Sequence, residues 1–177
     1  MIVFVMGPTG AGKTTFMDKV REMGHGTVEV GKMFRAKYPP EYFAGSAALV
    51  KTQQEAIDFM VTGIENCEAV GKKLIFVDGQ PRDVSQVDYI LRNYPNSMFV
   101  LLDCPTEVRL NRLVGRDGSD EAKLALAKAR LEGDYITMFP VISRLLSYGE
   151  EIHSIDTSTD DAIDCLLDMW FGYEEGF

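Results

Sequence analysis

Ile2-Val3-Phe4-Val5-Met6-Gly7-Pro8-Thr9-Gly10-Ala11-Gly12-Lys13-Thr14-Thr15 is a run of five apolar residues that passes without a break into a glycine-rich loop. An unbroken apolar run of this length reads as a strand buried on both faces of a parallel sheet. Gly7 to Thr14 matches G-x-x-x-x-G-K-[ST], and Lys13 to Met23 reads as a helix with Phe16, Met17 and Val20 on one side. Strand, glycine loop and helix in that order form the setting in which backbone N–H groups turn inward around a polyphosphate. The helix N-terminus adds partial positive charge. Gly7, Gly10, Ala11, Gly12, Lys13, Thr14 and Thr15 are therefore the candidate donor-phosphate residues. Lys13 can reach the outer phosphates, and the Thr14 hydroxyl can ligate Mg²⁺. The motif specifies nucleotide phosphates, and by itself does not separate a kinase from a GTPase or an ATP-driven motor.

Outward from this stretch, strands and helices alternate. Thr27–Val30, Leu74–Val77, Met98–Leu102 and Ile152–Ile155 read as further short strands. Thr52–Val70, Val84–Leu91, Pro105–Val114, Glu121–Tyr148 and Thr159–Phe171 read as helices, and Gly31–Lys37 as a helical turn. Pro105 suits a helix start, and the long helix is expected to bend near Pro140. This order predicts an α/β fold of three layers: a five-stranded parallel sheet with right-handed crossovers and helices on both faces. Ligands in such folds bind beyond the carboxyl ends of the strands. The 177 residues make one P-loop domain with two excursions, 38–70 and a very short polar break at 115–120.

Composition narrows the partners. Apolar types make up 46% and charged types 25%, which fits an ordinary globular domain and excludes disorder. No apolar run approaches a membrane span, and the N-terminal segment lacks the basic start of a signal peptide, so no membrane role and a cytoplasmic location are expected. Cys67, Cys104 and Cys165 form no CxxC pair and are expected to be reduced and mostly buried. The net charge is −9, with nine of the 27 acids and none of the 18 bases after residue 146. An acidic chain is a poor match for nucleic acid, and the acidic end reads as a solvated helix face. Small anions remain suitable ligands wherever arginines gather.

Asp78 ends the strand Leu74-Ile75-Phe76-Val77, so it should emerge at the same sheet edge as the glycine loop, as a second metal-side carboxylate. Asp103 ends the next strand and is assigned a structural role. Phosphoryl transfer between two nucleotides gathers many negative charges and needs fixed cations, which arginine supplies with bidentate geometry. Arg35 follows the second strand, and Arg82 follows Asp78-Gly79-Gln80-Pro81. Arg109, Arg112 and Arg116 share one helix face, and Arg130 lies on the next long helix.

Through these residues, the chain from Met1 to about Tyr148 resembles the adenylate kinase and nucleoside monophosphate kinase family. Gly7–Thr15 resembles its phosphate loop. Gly31-Lys32-Met33-Phe34-Arg35 resembles its G-D-x-L-R segment, and Asp78-Gly79-Gln80-Pro81-Arg82 with Gln86 resembles D-G-F-P-R-x-x-x-Q. Asn111–Arg116 resembles the helix into the family's ATP lid, Lys128–Leu131 its K-R-L segment, and Phe139–Ile142 its A-P-L continuation. The resemblance implies that Arg35 and Arg82 hold the acceptor phosphate and that Gln86 reads its base. Gly31 and Gly79 would sit beside that phosphate, and Val50 would approach the base through its backbone. Arg112 would flank the donor, while Arg116 and Arg130 would stabilise the transferred group.

The chain departs from the pattern in several places. Lys13-Thr14-Thr15 stands for K-G-T, so either threonine can face the metal; Lys32 replaces an acid, which changes charge near the reacting phosphates; Gln80 replaces phenylalanine. The lid is very short and lacks zinc-ligand cysteines and one arginine. These departures bear on substrate identity more than on reaction type.

The reaction so implied is Mg²⁺-dependent transfer from ATP to a nucleoside monophosphate, by a monomer. AMP or dAMP is favoured, because Gln86 can both donate and accept, with other nucleoside and deoxynucleoside monophosphates left open. Two other classes fit the loop: a P-loop kinase of a non-nucleotide metabolite, and a nucleotide-binding switch with little turnover.

Overall fold

A computed structural model of the chain describes residues 1–39, 53–118, 120–159 and 161–171. The side chains of Asp117, Ala122, Lys123, Leu126, Arg130 and Tyr135 also lie outside the description. The elements in chain order are β1 (Ile2–Met6), α1 (Lys13–Glu22), β2 (Gly26–Glu29), α2 (Val30–Lys37), α3 (Gln53–Ala69) and β3 (Ile75–Asp78). They continue with α4 (Val84–Asn93), β4 (Met98–Asp103), α5 (Thr106–Asp117), α6 (Glu121–Ser147), β5 (Ile152–Asp156) and α7 (Ala162–Phe171).

The five strands form one sheet in the order β2-β3-β1-β4-β5, and every pairing is parallel. β1, the strand of the opening sequence, is central. The period-two alternation of side chains along a strand divides its residues between the two faces. Phe4 and Met6, with Ile75, Val77 and Phe99, meet α3, α4 and α6 through Met60, Ile64, Val87, Ile90, Val141 and Leu145. Val3 and Val5, with Phe76, Val100 and Leu102, meet α1 and α7 through Phe16, Met17, Val20, Ile163, Leu166 and Leu167. The expected three layers with helices on both faces are present. Phe16 of α1 meets Phe76 of β3 edge-on between layers, while Phe4 stacks on its neighbour Phe99 within the sheet.

A third, small cluster of Leu113, Ala127 and Leu131 joins α5 to α6 beyond the main sheet. α5 runs on to Asp117, further than the expected stop at Val114, so residues 115–117 of the expected polar break are helical. Continuous hydrogen bonding through Gly115 and Arg116 is the reason, since neither residue forbids a helix there. α2 is likewise a full helix, where a single turn was expected. Of the 38–70 excursion, α3 falls within the described residues, whereas 40–52 do not. Cys67, Cys104 and Cys165 are free thiols, of which only Cys104 is buried and Cys165 is exposed. Asp164 of the acidic end pairs with Lys19. Among the described residues, no helix is long and apolar enough to cross a membrane.

The parallel register fixes what shares the carboxyl edge. Asp78 stands opposite Val5 on one side and Glu29 on the other. The loop leaving β1 therefore rises directly beside the end of β3.

Candidate functional site

Two glycines show why the loop needs its sequence. Gly7 has φ +148°, and a Cβ there would lie 2.2 Å from the Leu102 carbonyl oxygen. Gly10 has φ +84°, and its Cβ would meet the Arg109 backbone at 3.0–3.1 Å. The loop thus packs backbone-to-backbone against β4 and α5, where any side chain would force it away. Thr157, after β5, ties the loop from a third direction. Its buried hydroxyl lies 3.0 Å from the Ala11 carbonyl and 3.2 Å from that of Asp103.

Arg112 grips the same flank. Its guanidinium donates to the Thr157 carbonyl at 2.7 Å and to the Gly10 carbonyl at 3.4 Å. Lys13 turns its ammonium back onto the Gly7 and Pro8 carbonyls, at 2.6 and 2.9 Å. Burial pushes the Lys13 pKa down, reinforced by Arg82 and Arg109 and opposed by Asp78 and Asp134. Burial pushes the Asp78 pKa up, against the pull of Lys13 and Arg82. Lysine and carboxylate are thus electrostatic neighbours in a desolvated corner. Thr14 and Thr15 are both exposed, and both fall in the first turn of α1.

Asp78 Oδ1 is buried and has no hydrogen-bond partner among the described residues. A buried carboxylate oxygen without a donor is costly, and a cation delivered with phosphates would relieve it. Among the described residues, no group of three or more His, Cys, Asp or Glu side chains could hold an ion by itself. That donor set fits Mg²⁺, which usually takes one or two protein oxygens and completes its shell with phosphates and water.

Across the cleft lie the residues after β3. Gly79 packs against the start of α2. A Cβ on Gly79 would lie 3.7 Å from Gly31 N and 3.8 Å from Arg82 Nη2, while one on Gly31 would lie 3.4 Å from Arg35 Nη1. Arg35 and Arg82 therefore approach one glycine-lined junction from two elements. The Gln80–Pro81 peptide bond is cis. Gln86 is buried, and its Oε1 accepts a hydrogen bond from the Arg82 backbone N–H at 2.6 Å. One cleft of about 540 Å³, counting space open to solvent, is lined by Gly7, Thr9 and Lys13 on one side and Gly79, Gln80 and Arg82 on the other.

Other sequence expectations fall differently. Lys32 pairs with Glu29 in a separate groove at the β2 edge, so its charge is held on that carboxylate and not directed at the loop. Arg116 is exposed on α5 and does not line the cleft. Arg130 belongs to α6, but its side chain lies outside the described residues, as does Val50 altogether. Asp103 caps its strand end by accepting from the Cys104 N–H. Two residues at the loop, Thr157 and Asp134, escaped the sequence reading. Neither belongs to a local motif; each is brought to the loop by chain far from it.

A family model described as an AAA domain matches residues 3–132. The chain belongs to that family. The match covers β1, the phosphate loop, Asp78, Arg82 and α5, and it ends within α6. It assigns the chain to the P-loop nucleotide-binding proteins, a class that includes kinases. No curated protein matches the chain.

Proposed function

We propose that the chain transfers the terminal phosphoryl group of ATP to a nucleoside monophosphate, as an adenylate kinase-like phosphotransferase. What supports the reading is the junction of Gly31 and Gly79, which the Arg35 and Arg82 guanidiniums approach, Arg82 also lining the cleft with Lys13. Guanidiniums beside a phosphate loop suit a second anionic substrate held next to the donor phosphates.

In this mechanism the loop backbone and Lys13 bind the donor phosphates, and Arg112 flanks the donor nucleotide. Thr14 or Thr15, with Asp78, would hold Mg²⁺, which when bound offsets charge on the phosphate oxygens. Arg35 and Arg82 hold the acceptor phosphate, whose oxygen is already ionised, so no general base is required. Arg116 and Arg130 would stabilise charge on the transferred group. Catalysis is then positioning plus electrostatic stabilisation. Gln86 already uses its oxygen on Arg82, so its amide Nε2 is the atom left to meet the acceptor base, as a donor. AMP and dAMP, the acceptors the family resemblance favours, are the favoured substrates.

The test is ADP release from Mg-ATP with AMP, dAMP, CMP, UMP, GMP, dTMP or no acceptor. Release stimulated by a nucleoside monophosphate supports the reading. Release that ignores all six, or none at all, removes it in favour of a metabolite kinase or a nucleotide-binding module.

A further inference from the structure

One contact in the cleft is left unused by this mechanism. Asp134, on α6, sits on the phosphate loop itself. Its Oδ2 accepts the Thr9 backbone N–H at 2.6 Å, and its Oδ1 lies 3.2 Å from the Thr9 hydroxyl. The buried Arg109 guanidinium lies 4.0 Å from Oδ2, and the carboxylate acts electrostatically on Lys13. A carboxylate here occupies two donors on the cleft wall, and a phosphate oxygen brought to the same place could not share them.

The loop has two flanks. Arg112 and Thr157 hold one, through Gly10 and Ala11. Thr9 and Asp134 line the other, together with Gly79 and Arg82. On the phosphoryl-transfer reading, a phosphate chain entering from the Arg112 flank would reach Thr9 last, so its terminal phosphate would be the one to contest Asp134.

We infer that Asp134 is a specificity-determining residue that sets the balance between triphosphate and diphosphate in the loop. The direction of the phosphate chain rests on the phosphoryl-transfer reading above. A bound triphosphate must displace the carboxylate from Thr9, whereas a diphosphate leaves it in place. After transfer, Asp134 regains its two donors, and the occupied state of the loop shifts toward product. α6 carries the residue as a rigid element, fixed to α5 through Leu113, Ala127 and Leu131.

The test is equilibrium binding of β,γ-imido ATP and of ADP, without acceptor, to the full chain and to its Asp134→Asn variant. The neutral amide keeps the shape and removes the charge. The expected result is triphosphate binding tightened about tenfold, the scale of one charge-assisted hydrogen bond, with ADP affinity changed less than about twofold. A second measurement needs no variant: in the ¹⁵N-labelled wild-type chain, the Thr9 amide resonance should move with the triphosphate and stay with ADP. Equal tightening for both nucleotides, unchanged or weakened triphosphate binding, or a Thr9 amide that moves alike with both, overturns the inference. Because no acceptor is present, these outcomes are independent of the acceptor panel.

Discussion

Gln86 holds the backbone of Arg82: a buried side-chain oxygen accepts the arginine's own N–H at 2.6 Å, four residues back along the chain. The arginine side chain is exposed to the cleft, while its backbone is pinned from beneath. A residue expected to read a base is thus also part of the support for the residue expected to bind a phosphate.

That double role makes Gln86 separable by substitution. Gln86→Leu strands the Arg82 N–H and should cost about 1–2 kcal/mol of stability, together with a fall in acceptor-dependent turnover. Gln86→Glu keeps an acceptor oxygen for Arg82 and loses the amide donors. It should stay near wild-type stability in urea titrations while its preference among AMP, GMP and CMP shifts. Matching stability losses in both variants would mean the amide donors matter to the fold.

Arg82→Ala and Arg35→Ala should lower acceptor-dependent turnover by about 10³-fold or more, on the scale of arginines at transferring phosphates. ATP affinity measured without acceptor should change little in either. Lys cannot reproduce the bidentate fork, so Arg82→Lys should recover only a small part of the rate. Steady-state kinetics and calorimetry on the same three proteins check the separation.

Thr157→Val removes the hydroxyl that joins the Ala11 and Asp103 carbonyls inside a site 1% exposed to solvent. The methyl replacement fits the space and leaves carbonyl oxygens without that partner. A loss of about 1–2 kcal/mol in unfolding free energy is expected. A weaker grip on ATP should accompany it, because the loop loses one of its ties. An unchanged ATP dissociation constant would limit Thr157 to a structural tie.

The Asp78 carboxyl has a pKa raised by burial in the folded chain. Between its ordinary value of 3.8 and the higher folded value, the native state binds more protons than the unfolded one. Stability attributable to this group is therefore greatest below that window and falls as pH rises through it. Comparing urea midpoints of wild type and Asp78→Asn from pH 4 upward isolates the effect. The wild type should lose ground against the variant as pH rises through the window, by about 1.4 kcal/mol per pH unit. A difference that is flat with pH would mean Lys13 and Arg82 fully offset the desolvation.

Gly10→Ala should abolish nucleotide binding and lower stability by about 1–3 kcal/mol, since it combines φ +84° with a clash against the Arg109 backbone. Thermal unfolding with and without ATP separates the two losses: the wild type should gain melting temperature with ATP and the variant should not.

The central strand, the phosphate loop and the placement of Asp78 at the loop's edge were legible in residues 2–15 and 74–78 alone. Local chemistry dictates them: apolar strands, glycines that tolerate positive φ, and a lysine at a helix start. The gathering of Arg35 and Arg82 was legible only as an expectation, because it depends on Gly31 and Gly79 meeting across two strands. Lys32 shows the same limit in reverse. Its sequence position put it near the phosphates, and its ion pair with Glu29 holds it at the outer edge. Asp134 and Thr157 carry no local signature at all. They reach the loop from 125 and 146 residues away along the chain, on α6 and after β5. Periodicity and motif spacing describe neighbours along the chain; which carboxylate comes to rest on a backbone N–H is decided by the packing of whole helices.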